Sequence, residues 1–417
     1  MTSVQRGQRR GSSLEAALLV IGVAALGFNL RGAITSLPPV YPELQDRLHL
    51  SSAAVSVLAA TPVICFGIVS GFAAPLARRV GEERALLAAL VMLAAGLVLR
   101  AAAPASLLFP GTVLAAGAIA VMNVLLSSLI KRRWPERAGF LIGLYITTLS
   151  AGAIAGSLLS VPVYQAGGRS IPLALGWVVV PAVIGVALWL PQARGSGRAV
   201  PDATAAASGR DPRPAASRPA SGRRPLWRYA LAWQVTLFMG VQSLLYYGSV
   251  SWLPTILRDR GVSASAAGAL LGVLGIGNLA LALVTPVLAQ RMRAQYALVI
   301  PITIGIAAGL AGAVWAPLNT AVVWMLILGA AQNAALGVAI FFAMARAPDP
   351  ATAASLSAMA QGMGYLLASA GPLEVGLLHS ATGSWNVPVT VLLALTAVLL
   401  VVGLLAARPR TLPGRND

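Results

Sequence analysis

Twelve apolar stretches, six on either side of a basic, Pro-, Ala- and Ser-rich break at about residues 191–226, set what this chain can fold into. They cover residues 14–37, 53–76, 85–103, 107–130, 138–164 and 171–190, then 229–253, 264–288, 296–315, 318–343, 353–378 and 387–406. A helix rises about 1.5 Å per residue, so most of these stretches can cross a hydrocarbon core ~30 Å thick. With 58% apolar and 10% charged residues and a mean hydropathy of +0.80, a soluble fold would have almost nothing to place on its surface. The expected fold is all-α and polytopic: twelve transmembrane helices forming a six-helix bundle at 1–190 and another at 227–417. The 191–226 break is too poor in apolar residues to build a core and reads as a flexible cytoplasmic linker. Paired bundles of this kind suit a carrier that binds its solute near the midplane between them.

The net charge of +18 does not point to nucleic acid, because of where it sits. If the N-terminus is cytoplasmic, the tails and inward loops hold about 24 of the 30 Lys and Arg residues and the outward loops about five. That asymmetry orients a membrane protein with both termini cytoplasmic. The single cysteine, Cys65, falls inside the second stretch, which precludes an intrachain disulfide and a cysteine-rich metal site. Met1 to Arg10 ahead of an apolar run resembles a signal peptide. The run continues through Arg31 without a small-residue cleavage site, so it reads as an uncleaved first span.

The halves echo one another. Lys131 to Ser150 passes from a basic loop with Pro135 into a small-residue helix carrying Tyr145, and Arg346 to Gly371 repeats this with Pro348, Pro350 and Tyr365. Asn123 and Asn333 hold similar depths in spans four and ten. Glycines within the spans, among them Gly152, Gly156 and Gly371, read as helix-packing positions.

Polar residues inside spans are the candidates for function. Arg31 lies near mid-depth in span one, where a central Arg costs at least ~2.5–3.5 kcal/mol and must face the interior. Of the twelve acidic residues only Glu374 is well inside a span, about twenty-one residues past the start of span eleven and so near the outer face. An unpaired guanidinium in a wet cavity is an anion site with five donors in a fixed fork; the competing reading is a structural bond to helix carbonyls or polar neighbours. Gln242 and Tyr246 are spaced to share a helix face, as are Gln361 and Tyr365. Asn123, Asn333, Gln332, Tyr145 and Asn278 complete the set. Asn29 lies about 200° around the helix from Arg31 and reads instead as a helix–helix hydrogen-bonding residue.

The two histidines, His49 and His379, sit at loop or helix-end positions, so no metal-ligand cluster is available. There is no phosphate-binding Walker loop and no Ser/His/Asp arrangement, which argues against an ATP-driven pump and a membrane hydrolase. No cofactor is called for. The expected partners are a small-molecule or anion substrate and the bilayer, with the chain acting as a monomer.

Four stretches carry a family resemblance. They are Asn29-Leu30-Arg31-Gly32-Ala33-Ile34-Thr35-Ser36 with Pro39 and Pro42-Glu43-Leu44; Arg78-Arg79-Val80-Gly81-Glu82-Glu83-Arg84-Ala85; Asn123 through Lys131-Arg132 to Gly143-Leu144-Tyr145; and Leu356-Ser357-Ala358-Met359-Ala360-Gln361 through Gly364-Tyr365, Gly371-Pro372 and Gly383-Ser384-Trp385. On these the chain resembles the major facilitator superfamily and, within it, the cyanate/nitroimidazole transporter family. The resemblance implies a secondary transporter of the bacterial inner membrane moving cyanate-like anions or compact polar organic solutes. Arg31, Asn123, Tyr145, Gln242, Tyr246, Asn333, Gln361 and Tyr365 would line the site, and Arg78, Arg79, Gly81 and Arg84 would form a cytoplasmic gate. Three departures stand out: Arg78 replaces an acidic residue, Gly32 replaces a Pro, and the Gly-Pro pair of an antiporter fifth span is missing. Two alternatives stay open: a proton-coupled multidrug exporter using Glu374, and a non-transporting sensor or scaffold using the Arg-rich break.

Overall fold

The computed structural model describes residues 3–102, 105–195, 225–282, 284–292 and 295–413. Sixteen α-helices and no β-strand occur among them. The first half contains α1 (Ser3–Thr35), α2 (Tyr41–Leu48), α3 (Ser52–Val80), α4 (Glu82–Ala101), α5 (Leu108–Arg133), α6 (Ala138–Ala166), α7 (Ile171–Gly176) and α8 (Val179–Gly195). The second contains α9 (Ala230–Asp259), α10 (Ala264–Ala282), α11 (Val284–Arg291), α12 (Tyr296–Trp315), α13 (Ala321–Ala345), α14 (Pro350–Ala368), α15 (Ala370–Thr382) and α16 (Asn386–Ala406). Most of the expected linker, residues 196–224, lies outside the described residues.

Two expected spans are interrupted, and proline accounts for both breaks. Pro181 cannot donate to the Trp177 carbonyl, which instead accepts from the Val180 amide at 3.2 Å as the chain passes from α7 to α8. Pro372 likewise cannot continue the ladder of α14, and the helix restarts as α15 after Ser369. The first span ends at Thr35, and Pro38–Val40 forms a short 3-10 turn into α2. That turn carries Pro39 and Glu43 towards the second half.

Nine helical segments among the described residues are long and apolar enough to cross a membrane. Helix α9 is not among them, although it is 30 residues long. Its shortfall comes from the polar groups it carries, including Gln242, Ser243, Tyr246 and Tyr247.

The helix contacts give the sequence echo a physical meaning. In the first half α1 packs on α6 and α8, α4 on α5 and α8, and α3 on α5. In the second half α9 packs on α14 and α16, α12 on α13 and α16, and α10 on α13. The six long helices named in each half thus pair in the same order. The tightest seams use glycine: a methyl group at Gly152 on α6 would overlap the Phe28 carbonyl of α1, and one at Gly371 would overlap the Leu244 carbonyl of α9. Without a hydrophobic drive between helices in lipid, this close approach supplies the dispersion contact that holds a bundle together.

Two polar anchors fix the first bundle around its opening helix. The Asn29 amide is buried and donates to Ala25 O at 2.8 Å and to Pro181 O at 2.9 Å, the helix–helix role expected of it. Arg100 on α4 is also buried and donates to Ala33 O at 2.8 Å and Ser36 Oγ at 3.3 Å, bonding one carbonyl and one hydroxyl at the end of α1. With α1 held on both sides, the remaining face of the helix at Arg31 turns to the bundle interface.

Candidate functional site

Between the bundles lies a small hollow lined mainly by polar and aromatic side chains. Helix α1 supplies Arg31, α9 supplies Gln242, Ser243, Tyr246 and Tyr247, and α10 supplies Asn278. Gln332, Asn333 and Leu336 come from α13 and Tyr365 from α14. The wall is asymmetric: one cation from the first bundle faces a set of amides and phenols from the second.

Arg31 Nη1 donates to the Tyr246 hydroxyl, and its guanidinium carbon sits 4.9 Å from the centre of the same ring. That position adds a cation–π attraction to the hydrogen bond. Tyr247, Tyr365 and Tyr145 also lie within electrostatic reach of the guanidinium. Among the described residues no carboxylate is within ion-pair distance of Arg31. Its charge is therefore met by neutral phenols, which an anion or an electron-rich oxygen can supplement or displace.

Aromatic rings close one side of the hollow. Tyr246 and Tyr247 meet edge to face at 5.1 Å, and Tyr247 and Tyr365 at 6.4 Å. Phe66, from α3 of the other bundle, reaches Tyr365 at 5.9 Å and Tyr247 at 6.4 Å. The bundles part just beyond it. Gly67 meets the Leu366 side chain, whereas Gly71, one turn further on, faces open space.

The amides differ in how fully they are bonded. Gln242 is buried and gives its Nε2 to Ser243 Oγ at 2.6 Å and Met239 O at 3.1 Å. Gln332 gives its Nε2 to Ser249 Oγ at 3.1 Å and Leu245 O at 3.4 Å.

The expected residues are brought together only in part. Arg31, Gln242, Tyr246, Asn333 and Tyr365 share the hollow. Asn123 and Tyr145 are paired with each other instead, through a 2.9 Å bond from the tyrosine hydroxyl to Asn123 Oδ1, and neither lines it. Gln361 is exposed and outside the lining, although Tyr365, four residues on, is part of it. Glu374 is half-buried on α15 and does not line the hollow.

The expected gate segment lies at the far end of α3. Arg78, Arg79, Gly81 and Arg84 are all exposed, and no ion pair among the described residues includes them. The charges that do pair there are their neighbours: Glu83 with Arg133, and Glu82 with Arg132 at 3.2 Å. Both pairs stay within the first bundle. Sequence reasoning also passed over Ser243, Tyr247 and Phe66; the adjacent Tyr246-Tyr247 pair was the available signal for one of them. Among the described residues no cluster of three metal-ligating side chains occurs.

Comparison with known proteins places this geometry. Residues 18–372 match the Major Facilitator Superfamily. The chain is 35% identical over 393 residues to the 2-nitroimidazole transporter of Escherichia coli (strain K12), covering 94% of this chain and 96% of that protein. It is 26% identical over 368 residues to the cyanate transport protein CynX of the same organism, covering 88% and 91%. The crystal structure of a D-xylose-proton symporter superposes with a TM-score of 0.72 at 15% identity, over 96% of this chain and all of that one, so the likeness there is of fold.

Proposed function

This chain belongs to the Major Facilitator Superfamily, a family of multi-pass membrane transporters, and on that premise we propose that it carries a compact anionic or strongly polar organic solute by alternating access. The observation that carries the proposal is Arg31, a guanidinium in a hollow between two bundles with phenols and, among the described residues, no carboxylate beside it. Such a group offers a bidentate donor pair to an oxyanion or a nitro group. The names of the 2-nitroimidazole and cyanate relatives fit that chemistry, since both solutes are small and rich in acceptors. In this reading Arg31 binds the acceptor end, and Gln242, Tyr246, Asn333 and Tyr365 complete the wall. The end where the bundles part carries the Arg-rich loops and faces the cytoplasm of a bacterial inner membrane, with both termini on that side. Each chain encloses a whole hollow, so the working unit is a monomer.

The exporter alternative lacks a matching feature. Glu374 sits apart from the hollow, so its protonation would not be felt directly by a bound solute.

Purified protein in liposomes tests the reading through flux of 2-nitroimidazole, cyanate and a panel of small organic anions. Arg31→Gln should lower uptake at least tenfold while leaving thermal unfolding close to that of the parent. Arg31→Lys keeps the charge but loses the fork, and should recover only part of the flux. Wild-type flux with an Arg31→Gln protein would remove Arg31 from the solute path.

A further inference from the structure

Among the lining residues, Gln332 carries a fully buried polar atom whose bonding is left unfinished. It is 2% exposed, and its Oε1 has no hydrogen-bond partner among the described residues. The orientation of the amide is fixed by what surrounds it. Its nitrogen faces Leu245 O, which can only accept. It also faces Ser249 Oγ, whose own hydrogen is committed to Leu245 O at 2.6 Å. Turning the amide over would set its oxygen against one carbonyl and one hydroxyl with no proton to spare. Helix α9 therefore holds the nitrogen, and the carbonyl remains an acceptor without a donor. A buried carbonyl in that condition costs free energy until a donor reaches it.

Resting on the reading of the hollow as the solute site, we propose that Gln332 selects solutes bearing an N–H or O–H donor. The site then has two poles. Arg31 with Tyr246 takes the anionic or oxygen-rich end, and Gln332 Oε1 takes a proton donor elsewhere on the same molecule. The class this describes is a flat ring with an acceptor group and a donor, such as an azole carboxylate or a phenol carboxylate. The clustered rings of Tyr246, Tyr247 and Tyr365 supply aromatic surface beside such a ring. Sites built to bond a substrate hydroxyl or N–H reject analogues lacking it far more strongly than apolar pockets reject a missing methylene.

The test is equilibrium binding to the full-length purified protein with matched pairs that differ by one donor. The probes are imidazole-2-carboxylate against its 1-methyl derivative, and 4-hydroxybenzoate against 4-methoxybenzoate. Wild-type protein should prefer the donor-bearing member of a pair by about tenfold or more. Gln332→Met, close in volume and without a comparable acceptor, should bring that ratio near one, chiefly by weakening binding of the donor-bearing member. Gln332→Leu serves in the same way if the methionine variant folds poorly. Arg31→Gln should weaken both members alike. A wild-type ratio near one with clear binding, or an undiminished preference in a folded Gln332 variant, would overturn the role of Gln332 and leave the solute site standing. No binding of any small anion by wild type would instead overturn the solute site, and this inference with it.

Discussion

The two ends of the bundle interface are held differently. At the end carrying the α1–α2 turn, the first and second halves are fastened together. Arg258 Nη1 pairs with Glu43 Oε2 at 2.8 Å and donates to Pro39 O at 3.3 Å. The Tyr41 and Trp252 rings lie 5.9 Å apart, and α10 presses Gly268, Gly272 and Gly275 against Ser157 and Ile154 of α6. At the other end Gly71, Gly143 and Gly362 face open space, and the ion pairs Glu82–Arg132 and Glu83–Arg133 bind α4 to α5 inside one bundle. Arg346, also buried there, serves its own bundle by donating to Ala406 O at 2.9 Å and Ala407 O at 3.1 Å. Polar groups thus tie one end across the interface, while at the other they stiffen each half separately. In this state the bundles part at the unfastened end, and the Phe66, Tyr247 and Tyr365 rings lie between that opening and the hollow.

The largest effect is expected from steric insertion at the fastened end. A methyl group at Gly268 would fall 2.5 Å from the Ser157 carbonyl oxygen, so Gly268→Leu cannot coexist with this closure. Each bundle should still fold, because the contact lies between them. Flux should fall by at least tenfold, and labels at Gln165→Cys and Ser265→Cys in a Cys65→Ser background should move apart in spin-label distance measurements. Gly362→Leu is the opposing control: it faces open space in this state, so the label distance should stay short. Equal distances in the two variants would mean that the ends are not distinguished as described.

Removing the ion pair should act in the same direction and less strongly. The Glu43 and Arg258 side chains are 12% and 22% exposed, so the pair is well shielded from screening by salt. A hydrogen bond to a charged group is worth about 1.5–3 kcal/mol, so Glu43→Gln should shift the balance between closed and open at this end by roughly ten- to a hundredfold. The reversed pair, Glu43→Arg with Arg258→Glu, should restore much of the closed population in the same distance measurement. If Glu43→Gln leaves the distribution as it was, packing alone closes this end.

These contrasts also mark what the sequence could and could not reveal. Twelve apolar stretches and the charge asymmetry were enough for the helical architecture, because hydrophobic length is a local property. Arg31 stood out for the same reason: a lone cation in an apolar run is costly wherever the chain goes. The helix geometry of Asn29 against Arg31 and of Gln242 with Tyr246 carried through to the structure. Gln361 lies outside the lining although Tyr365, one turn on, is part of it, since how far a hollow extends along a helix is set by the neighbouring helices and not by local spacing. The Glu43–Arg258 tie was invisible for a similar reason. Its partners are 215 positions apart, the same separation as Arg31 and Tyr246, and each lies twelve positions further along than the matching member of that pair. In the sequence both were ordinary loop-end charges.

The smallest effect is expected at the unfastened end. Arg133 and Glu83 are 41% and 10% exposed, so one partner is substantially solvated and the pair resembles a surface ion pair worth about 0–1 kcal/mol. The Glu83 backbone is held independently, since Trp189 Nε1 donates to its carbonyl at 3.1 Å. Arg133→Gln should therefore lower the thermal midpoint by a few degrees at most and leave the spin-label distance at the other end unchanged. It removes a bond within one bundle, and such a bond has no differential worth between states that move the bundles as units. A change in the Gln165–Ser265 distance on Arg133→Gln would show instead that α4 and α5 shift against each other during the cycle, and the two ends would then have to be treated as one coupled lock.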